Sequence, residues 1–388
     1  MSANIFGRHY GLRPRKQIVD QAPTSRREKR SKSGDDAAEP CAKRAALDEL
    51  SEALSNVNLE EKGESPPPLD LDRNEQDVEM EGGDAPPAVK PPKPFVDPLP
   101  DYDYDAELGN DHEEVGEYAE EIFQTDREKI ANFKVGLYLH VRQTKINTSD
   151  RAQTVDWLVR AMVSLELHHE QLYRAVKILD MYIDRVEFPV TRLDLPLFAG
   201  VALMMASKYE ERYRHVTVND VMEMTLHGYD RARVMKVERE MFDALDFCIG
   251  APLSYSFLRR FARVIHCDVV TLTLARYILE TSLLFYEFVY VKEDILAASS
   301  LYLALRMKGK SWNLRLAKYC RYTADQVRPI MLQMNHMMHL RPRAFRSCIS
   351  IRNKYRHDLY HKVANTPLLL DRIALNVELT FREYAINY

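Results

Sequence analysis

From Glu113 onward the chain alternates apolar and polar residues with the period of an α-helix, and before that point it does not. The spacing predicts a helix over Glu117 to Phe123, another over Arg127 to Arg142, and then a longer array. Ser149 or Asp150 is placed to cap a helix carrying Trp157, Leu158, Val159, Met162 and Val163. Leu172, Val176, Leu179 and Ile183 mark a helix over Glu170 to Val186. The stretch from Asp194 to Glu211 is apolar round every face until Lys208, with Asp194 as its expected cap and Pro196 in its first turn. A helix of that kind is buried, and small residues at 199, 200, 202, 206 and 207 let neighbours come close, so it reads as a central rod. Its apolar run of about eleven residues is too short to cross a bilayer. Thr217 to Leu226 and Asp230 to Leu245 complete five helices.

After Gly250-Ala251-Pro252 the pattern starts again, with Phe257, Leu258 and Phe261, then Val269 to Phe288, Asp294 to Met307, Leu314 to Tyr319, and Thr323 to His339. The two sets align. Ala199, Gly200, Ala202, Leu203 and Ala206 match Ala297, Ala298, Ser300, Leu301 and Ala304 at a constant offset, and Tyr229, Val234, Val237 and Met241 match Tyr322, Val327, Ile330 and Met334 at a slightly shorter one. Two such copies are too few for a solenoid. The expectation is an all-α protein of two tandem five-helix domains, preceded by an N-terminal helix and a disordered tail. The boundaries drawn are 1–100 for the tail, 101–148 for a helical extension, 149–250 and 251–365 for the two domains, and 366–388 for a C-terminal extension.

Composition changes this picture only at the N-terminus. The 46% hydrophobic residues of the 388 suit a globular protein, but the first hundred or so hold most of the prolines with few aromatics and cannot bury enough apolar surface to offset the entropy of ordering. The cluster Arg26-Arg27-Glu28-Lys29-Arg30-Ser31-Lys32 is a candidate nuclear-import signal. A formal net charge of -4 argues against wholesale nucleic-acid binding. Five cysteines without a CxxC pair indicate free thiols in a reducing compartment, with neither a zinc ribbon nor a disulfide framework. Residues 1–30 lack the apolar core of a signal peptide, so an intracellular protein is expected, in the nucleus or also the cytoplasm. No phosphate-binding loop and no HExxH motif is present; His168-His169-Glu170 has the wrong order for a zinc protease, and the two histidines read as surface residues. No catalytic residue, metal or cofactor is expected, and no membrane or direct nucleic-acid partner.

Several spaced motifs then fall in order. Arg151-Ala152, Val155-Asp156-Trp157-Leu158-Val159, Ile183-Asp184-Arg185, the run Ala206-Ser207-Lys208-Tyr209-Glu210-Glu211 and Glu238 resemble the signature of the cyclin box. Pro252 to Arg263 is similar to the opening of the second box in B-type mitotic cyclins, particularly the B-three branch. The resemblance runs from about Asp101 to the end of the chain.

It implies a regulatory subunit, not an enzyme, that binds and activates a mitotic cyclin-dependent kinase. Lys208 and Glu238 take the family's kinase-facing positions, with Glu211, Tyr118 and Ile122 beside them, and Arg151 is expected to pair with Asp184 between the first two helices of the first box. Binding at that surface would push the kinase C-helix inward so that its Glu meets the ATP-site Lys. The family's docking patch for Arg-x-Leu substrates opens with Met-Arg-Ala-Ile-Leu; here Asp150-Arg151-Ala152-Gln153-Thr154 stands in its place, with Trp157 kept, so the patch, formed by Arg151, Gln153, Thr154 and Trp157, is degenerate. Arg44-Ala45-Ala46-Leu47 resembles the destruction box read by the anaphase-promoting ubiquitin ligase, with Arg44 and Leu47 as its key residues. The alternative is a cyclin-fold transcription factor that lays Arg259, Arg260, Arg263, Arg341, Arg343 and Arg346 on DNA.

Overall fold

A computed structural model describes residues 96–107, 116–139, 141–211, 215–226 and 228–370. The basic cluster at 26–32, Arg44 and Leu47 lie outside these. The described residues form α-helices joined by short connections, opening with α1 (Tyr104–Glu107) and α2 (Gly116–Ile130). The first five-helix set is α3 (Thr148–Ser164), α4 (His169–Arg185), α5 (Leu195–Glu210), α6 (Val218–Met224) and α7 (Arg231–Ala244). The second is α8 (Ser254–Val264), α9 (Val269–Ser282), α10 (Glu293–Met307), α11 (Leu314–Cys320) and α12 (Ala324–Ala344), and α13 (Ser350–Arg356) follows.

α5 is the rod of the first set. Every residue from Leu197 to Ser207 is buried, and the helix packs against α3, α4, α6 and α7. Gly200 shows why small residues are needed: a Cβ there would sit 3.0 Å from Val221 and 3.8 Å from the Trp157 ring. α10 repeats the arrangement, buried from Ile295 to Leu305 among α8, α9, α11 and α12. The alignment of 199–206 with 297–304 therefore places equivalent turns of two equivalent helices.

Three local expectations are corrected. The helix expected over Arg127–Arg142 stops at Ile130, with a single 3₁₀ turn after it. Beyond that turn the chain spends its hydrogen bonds on distant partners. Gly136 N–H donates to Asp184 Oδ2 (2.8 Å), Tyr138 Oη to Asp180 Oδ1 (2.7 Å), and Leu139 N–H to Tyr286 Oη (3.0 Å). Gln143 Nε2 donates to the carbonyls of Ile183, Val186 and Phe188 while its Oε1 accepts from Val190 N–H. These bonds satisfy the backbone without a helix. The cap of α3 is Asn147, in a reciprocal box with Asp150, rather than Ser149 or Asp150. Asp194 occupies the cap position of α5 but bonds none of its N–H groups; its carboxylate accepts from Thr191 N–H and Oγ1 instead.

The two sets are joined by charged groups as well as apolar surface. Arg174 Nη1 donates to the carbonyls of Ile249 (2.7 Å) and Ala251 (3.2 Å), holding the linker against α4. Arg151 Nη1 donates to Leu283 O (2.8 Å), and Lys177 pairs with Glu293 (2.7 Å). At the centre, Lys354 of α13 and Glu280 of α9 form a fully buried pair at 2.8 Å, and Tyr355 Oη donates to the same carboxylate. His169, at the start of α4, approaches that carboxylate at 3.3 Å. His169 is thus turned into the fold, its side chain only 15% exposed, contrary to the surface reading of the His168-His169 pair, whereas His168 is exposed. The sequence pattern missed it because His169 sits at a helix start, where the apolar period has not yet begun.

Candidate functional site

α5 delivers its last turn to the surface. Buried through Ser207, it emerges at Lys208, and the Lys208 ammonium meets the Glu238 carboxylate of α7 at 2.6 Å. The Lys208 side chain is 41% exposed and that of Glu238 17%. A cation in the last turn of a helix is favoured by the helix dipole. An exposed pair of this kind contributes little to stability, about 0–1 kcal/mol, so two opposite charges are presented here at almost no structural cost to remove.

The residues around the pair are held more firmly. Tyr209 is exposed, and the Arg174 guanidinium stands 4.2 Å from its ring centroid while its Nε bonds Glu210 (2.5 Å). Glu211, the helix cap, lies 3.6 Å from His168. One arginine therefore fixes the linker, the exposed tyrosine and an acid of the α5 terminus together. Arg174 was not picked out in the sequence, and Tyr209 only as a member of the Ala206–Glu211 run; the visible signal for Arg174 was an arginine within the apolar stripe of α4.

Tyr118 and Ile122, one turn apart on α2, are both exposed, at 51% and 48%. α2 is seated on the second set: Phe123 packs on Phe257, and Arg127 Nη2 donates to Tyr319 O. On its other side, Asp126 lies within electrostatic reach of Arg174. Burial raises the Asp126 pKa, and Lys129 and Arg174 lower it in part.

The expected Arg151–Asp184 pair does not form. Arg151 makes a bidentate contact with Asp180, its Nε and Nη2 each 2.7 Å from a carboxylate oxygen. Asp184 lies one turn further along α4, where Gly136 and Arg142 face it instead of α3. Burial alone would lower the Arg151 pKa; the Asp180 carboxylate more than reverses that. Two members of the degenerate patch are also internal. Arg151 is buried, and Thr154 is buried with its hydroxyl donating to Asp150 O (2.9 Å). Gln153 is exposed and Trp157 half-buried. Asp150 is buried and bonded to Arg192 at 2.6 Å.

The basic set of the DNA-binding alternative is divided. Arg260 is 8% exposed and bidentate to Asp105 of α1, and Arg341 is 3% exposed. Arg259 pairs with Glu170 at 2.7 Å. Three of the six guanidiniums are therefore committed inside the fold or to acids, and the continuous basic face that DNA requires is not assembled from them.

A family model described as "Cyclin, N-terminal domain" matches residues 121–250, and one described as "Cyclin, C-terminal domain" matches residues 252–369. The chain is 38% identical over 283 residues to the G2/mitotic-specific cyclin-B3 of Caenorhabditis elegans, a match covering 72% of this chain and 73% of that protein. It is 34% identical over 311 residues to the Gallus gallus protein of the same description, covering 78% and 76%. With the Drosophila melanogaster protein so described the identity is 35% over 286 residues, covering 71% of this chain and 49% of the relative, so the chain spans about half the length of that relative.

Proposed function

The chain belongs to the cyclin family, and on that premise we propose that it is the regulatory subunit that binds and activates a mitotic cyclin-dependent kinase, promoting entry into and progress through mitosis. Cyclins are regulatory subunits and not enzymes, so this chain supplies position and no reacting group. The observation that carries the reading is the Lys208–Glu238 pair, opposite charges 2.6 Å apart at the exposed end of an otherwise buried helix. Lys208 donates and Glu238 accepts, so together they suit the backbone carbonyls and amides around a kinase C-helix, with Glu211 beside them. Tyr118 and Ile122 add exposed apolar surface on α2. Docking there biases the C-helix toward the inward position in which its Glu pairs with the ATP-site Lys.

Arg44 and Leu47 form the degron through which the anaphase-promoting ubiquitin ligase ends activity, and the basic cluster at 26–32 brings the protein into the nucleus. Ordinary Arg-x-Leu substrate docking is weak, because a groove carrying Gln153 beside Trp157 offers a polar wall to a leucine. Mixing the purified chain with a mitotic cyclin-dependent kinase tests the central claim. A stoichiometric complex and a large rise in phosphorylation rate are expected; neither would appear if the chain were a transcription factor, which would instead show salt-dependent DNA binding.

A further inference from the structure

Arg341, near the C-terminal end of α12, is buried without a counter-charge in hydrogen-bonding range. Its Nε and Nη1 atoms have no hydrogen-bond partner, and among the described residues no carboxylate forms an ion pair with it. Burial works against its charged form, and Arg352 adds to that penalty, while Tyr277 and Asp156 offset part of it. A guanidinium cannot shed its charge as a lysine can. Leaving its donors unmet inside a fold is therefore unfavourable, and groups in that state call for an acceptor.

There is room for one. A cavity of about 350 Å³ lies between α9, α12, α13 and the segment that follows α13. Arg341 and Arg352 both line it, Thr366 and Asn365 add polar groups, and Leu274 and Met338 supply apolar wall. None of the described lining residues is an acid. Arg352 is exposed on α13, so one arginine stands inside the cavity and the other at its solvent side.

We propose that this pocket binds a phosphoryl group, carried on a phosphorylated side chain or as free inorganic phosphate. Two guanidiniums match a phosphate monoester, which carries about −1.5 to −2 charge at neutral pH, whereas a lone carboxylate would neutralise only one of them. A guanidinium fork suits phosphate oxygens two at a time. The apolar wall accepts the methylene of a phosphorylated serine, and the Thr366 hydroxyl offers one more donor. The pocket shares no residue with the Lys208–Glu238 surface, so the proposal stands apart from the kinase reading.

Calorimetric titration of the full-length chain, without any kinase, tests it. The probes are inorganic phosphate, a short phosphoserine peptide, and the same peptide unphosphorylated. Saturable binding of a phosphorylated probe is expected, with none for the unphosphorylated peptide. Arg352→Ala, at an exposed position, should weaken binding about tenfold through loss of one charge-assisted contact. Arg341→Met, which replaces the buried charge by an apolar chain of similar length, should abolish it, with circular dichroism checking the fold. Tighter binding of the phosphopeptide than of phosphate identifies a phosphorylated chain as the source; equal or weaker binding identifies the free ion, and either supports the site. No saturable binding of either phosphorylated probe, or binding that Arg352→Ala leaves unchanged, overturns it.

Discussion

At Lys208 and Glu238 the fold brings together two residues thirty positions apart in the chain, and the exposure of the pair separates its roles. Lys208→Ala with Glu238→Ala should change the urea midpoint little, since exposed pairs contribute about 0–1 kcal/mol. The same double variant should lose kinase binding, because each charge-assisted hydrogen bond removed costs about 1.5 to 3 kcal/mol; surface-bound kinase reads the affinity directly. Arg151 shows the opposite balance. Asp180→Asn leaves a buried guanidinium with half its partner and should destabilise by about 3 to 5 kcal/mol. Asp184→Asn, whose ion partner Arg142 is half-exposed, should cost about 1 kcal/mol or less. Equal losses in urea denaturation would contradict the pairing. The sequence showed two acids one turn apart on α4 and an arginine in α3, and periodicity alone could not say which acid faced it. A one-turn choice is decided by how far the helices slide past each other, which is a tertiary quantity.

Elements were legible where their apolar period was strong and uninterrupted, and α5 and α10 are such cases. α13 is different: seven residues, no side-chain cap at Ile349, and a start that depends on another helix. Asp156 of α3 accepts from Ser350 N–H (2.9 Å) and from Ser350 Oγ (2.6 Å), so a carboxylate of the first box acts as the cap of a helix after the second. Burial raises the Asp156 pKa, and the two Ser350 bonds pull it back in part. Asp156→Ala should therefore loosen α13, at a cost of about 1 to 3 kcal/mol for the N–H left unmet. Hydrogen exchange would show faster amide exchange in 350–356 than in α9 if this is right. Unchanged protection of α13 would mean that its apolar face, Ile351 and Tyr355, holds it without the cap. No local pattern announces such a cap, since its donor and acceptor are 194 residues apart.

Across the whole molecule, the buried Glu280–Lys354 pair with the half-buried His169 beside it ties the two boxes and α13 together, and the cluster titrates in a defined direction. Burial, together with Lys354 and Arg276, pushes the His169 pKa down from 6.5 to about 3, although Glu280 favours its protonated form. Burial would raise the Glu280 pKa, but Lys354 and His169 hold it at about 2. His169 is neutral in the fold while the unfolded chain takes up a proton near pH 6.5, so the folded state loses stability as pH falls below that value. Glu280 adds a second loss, from its unfolded value near 4.5 down to about 2. Of this cluster only His169 acts between pH 7 and 5, and its share of the loss should be about 2 kcal/mol. His169→Gln should flatten stability over that window, with Arg276 and Glu280 still facing the amide; urea midpoints at pH 7 and 5 measure it. Arg44→Ala with Leu47→Ala should lengthen the half-life of the full chain through mitotic exit and leave kinase activation unchanged, as followed by pulse-chase in synchronised cells. Equal half-lives would show that another element is the principal degron.

The sequence by itself determined that the two boxes are helical and repeat one another, that they are built on central small-residue helices, and which family the chain resembles, because period, caps and motif spacing are local properties of the chain. It also singled out Lys208 and Glu238. Only the tertiary structure decided which acid Arg151 takes, that the chain after Ile130 leaves the helix for side chains of α4 and the second box, that His169 turns into the fold while His168 stays exposed, and that Arg341 lies inside beside a cavity instead of on a basic face. Each of those outcomes depends on which distant residue reaches a given donor or acceptor first, and a buried polar group is satisfied by proximity in space, which no window of neighbouring residues contains.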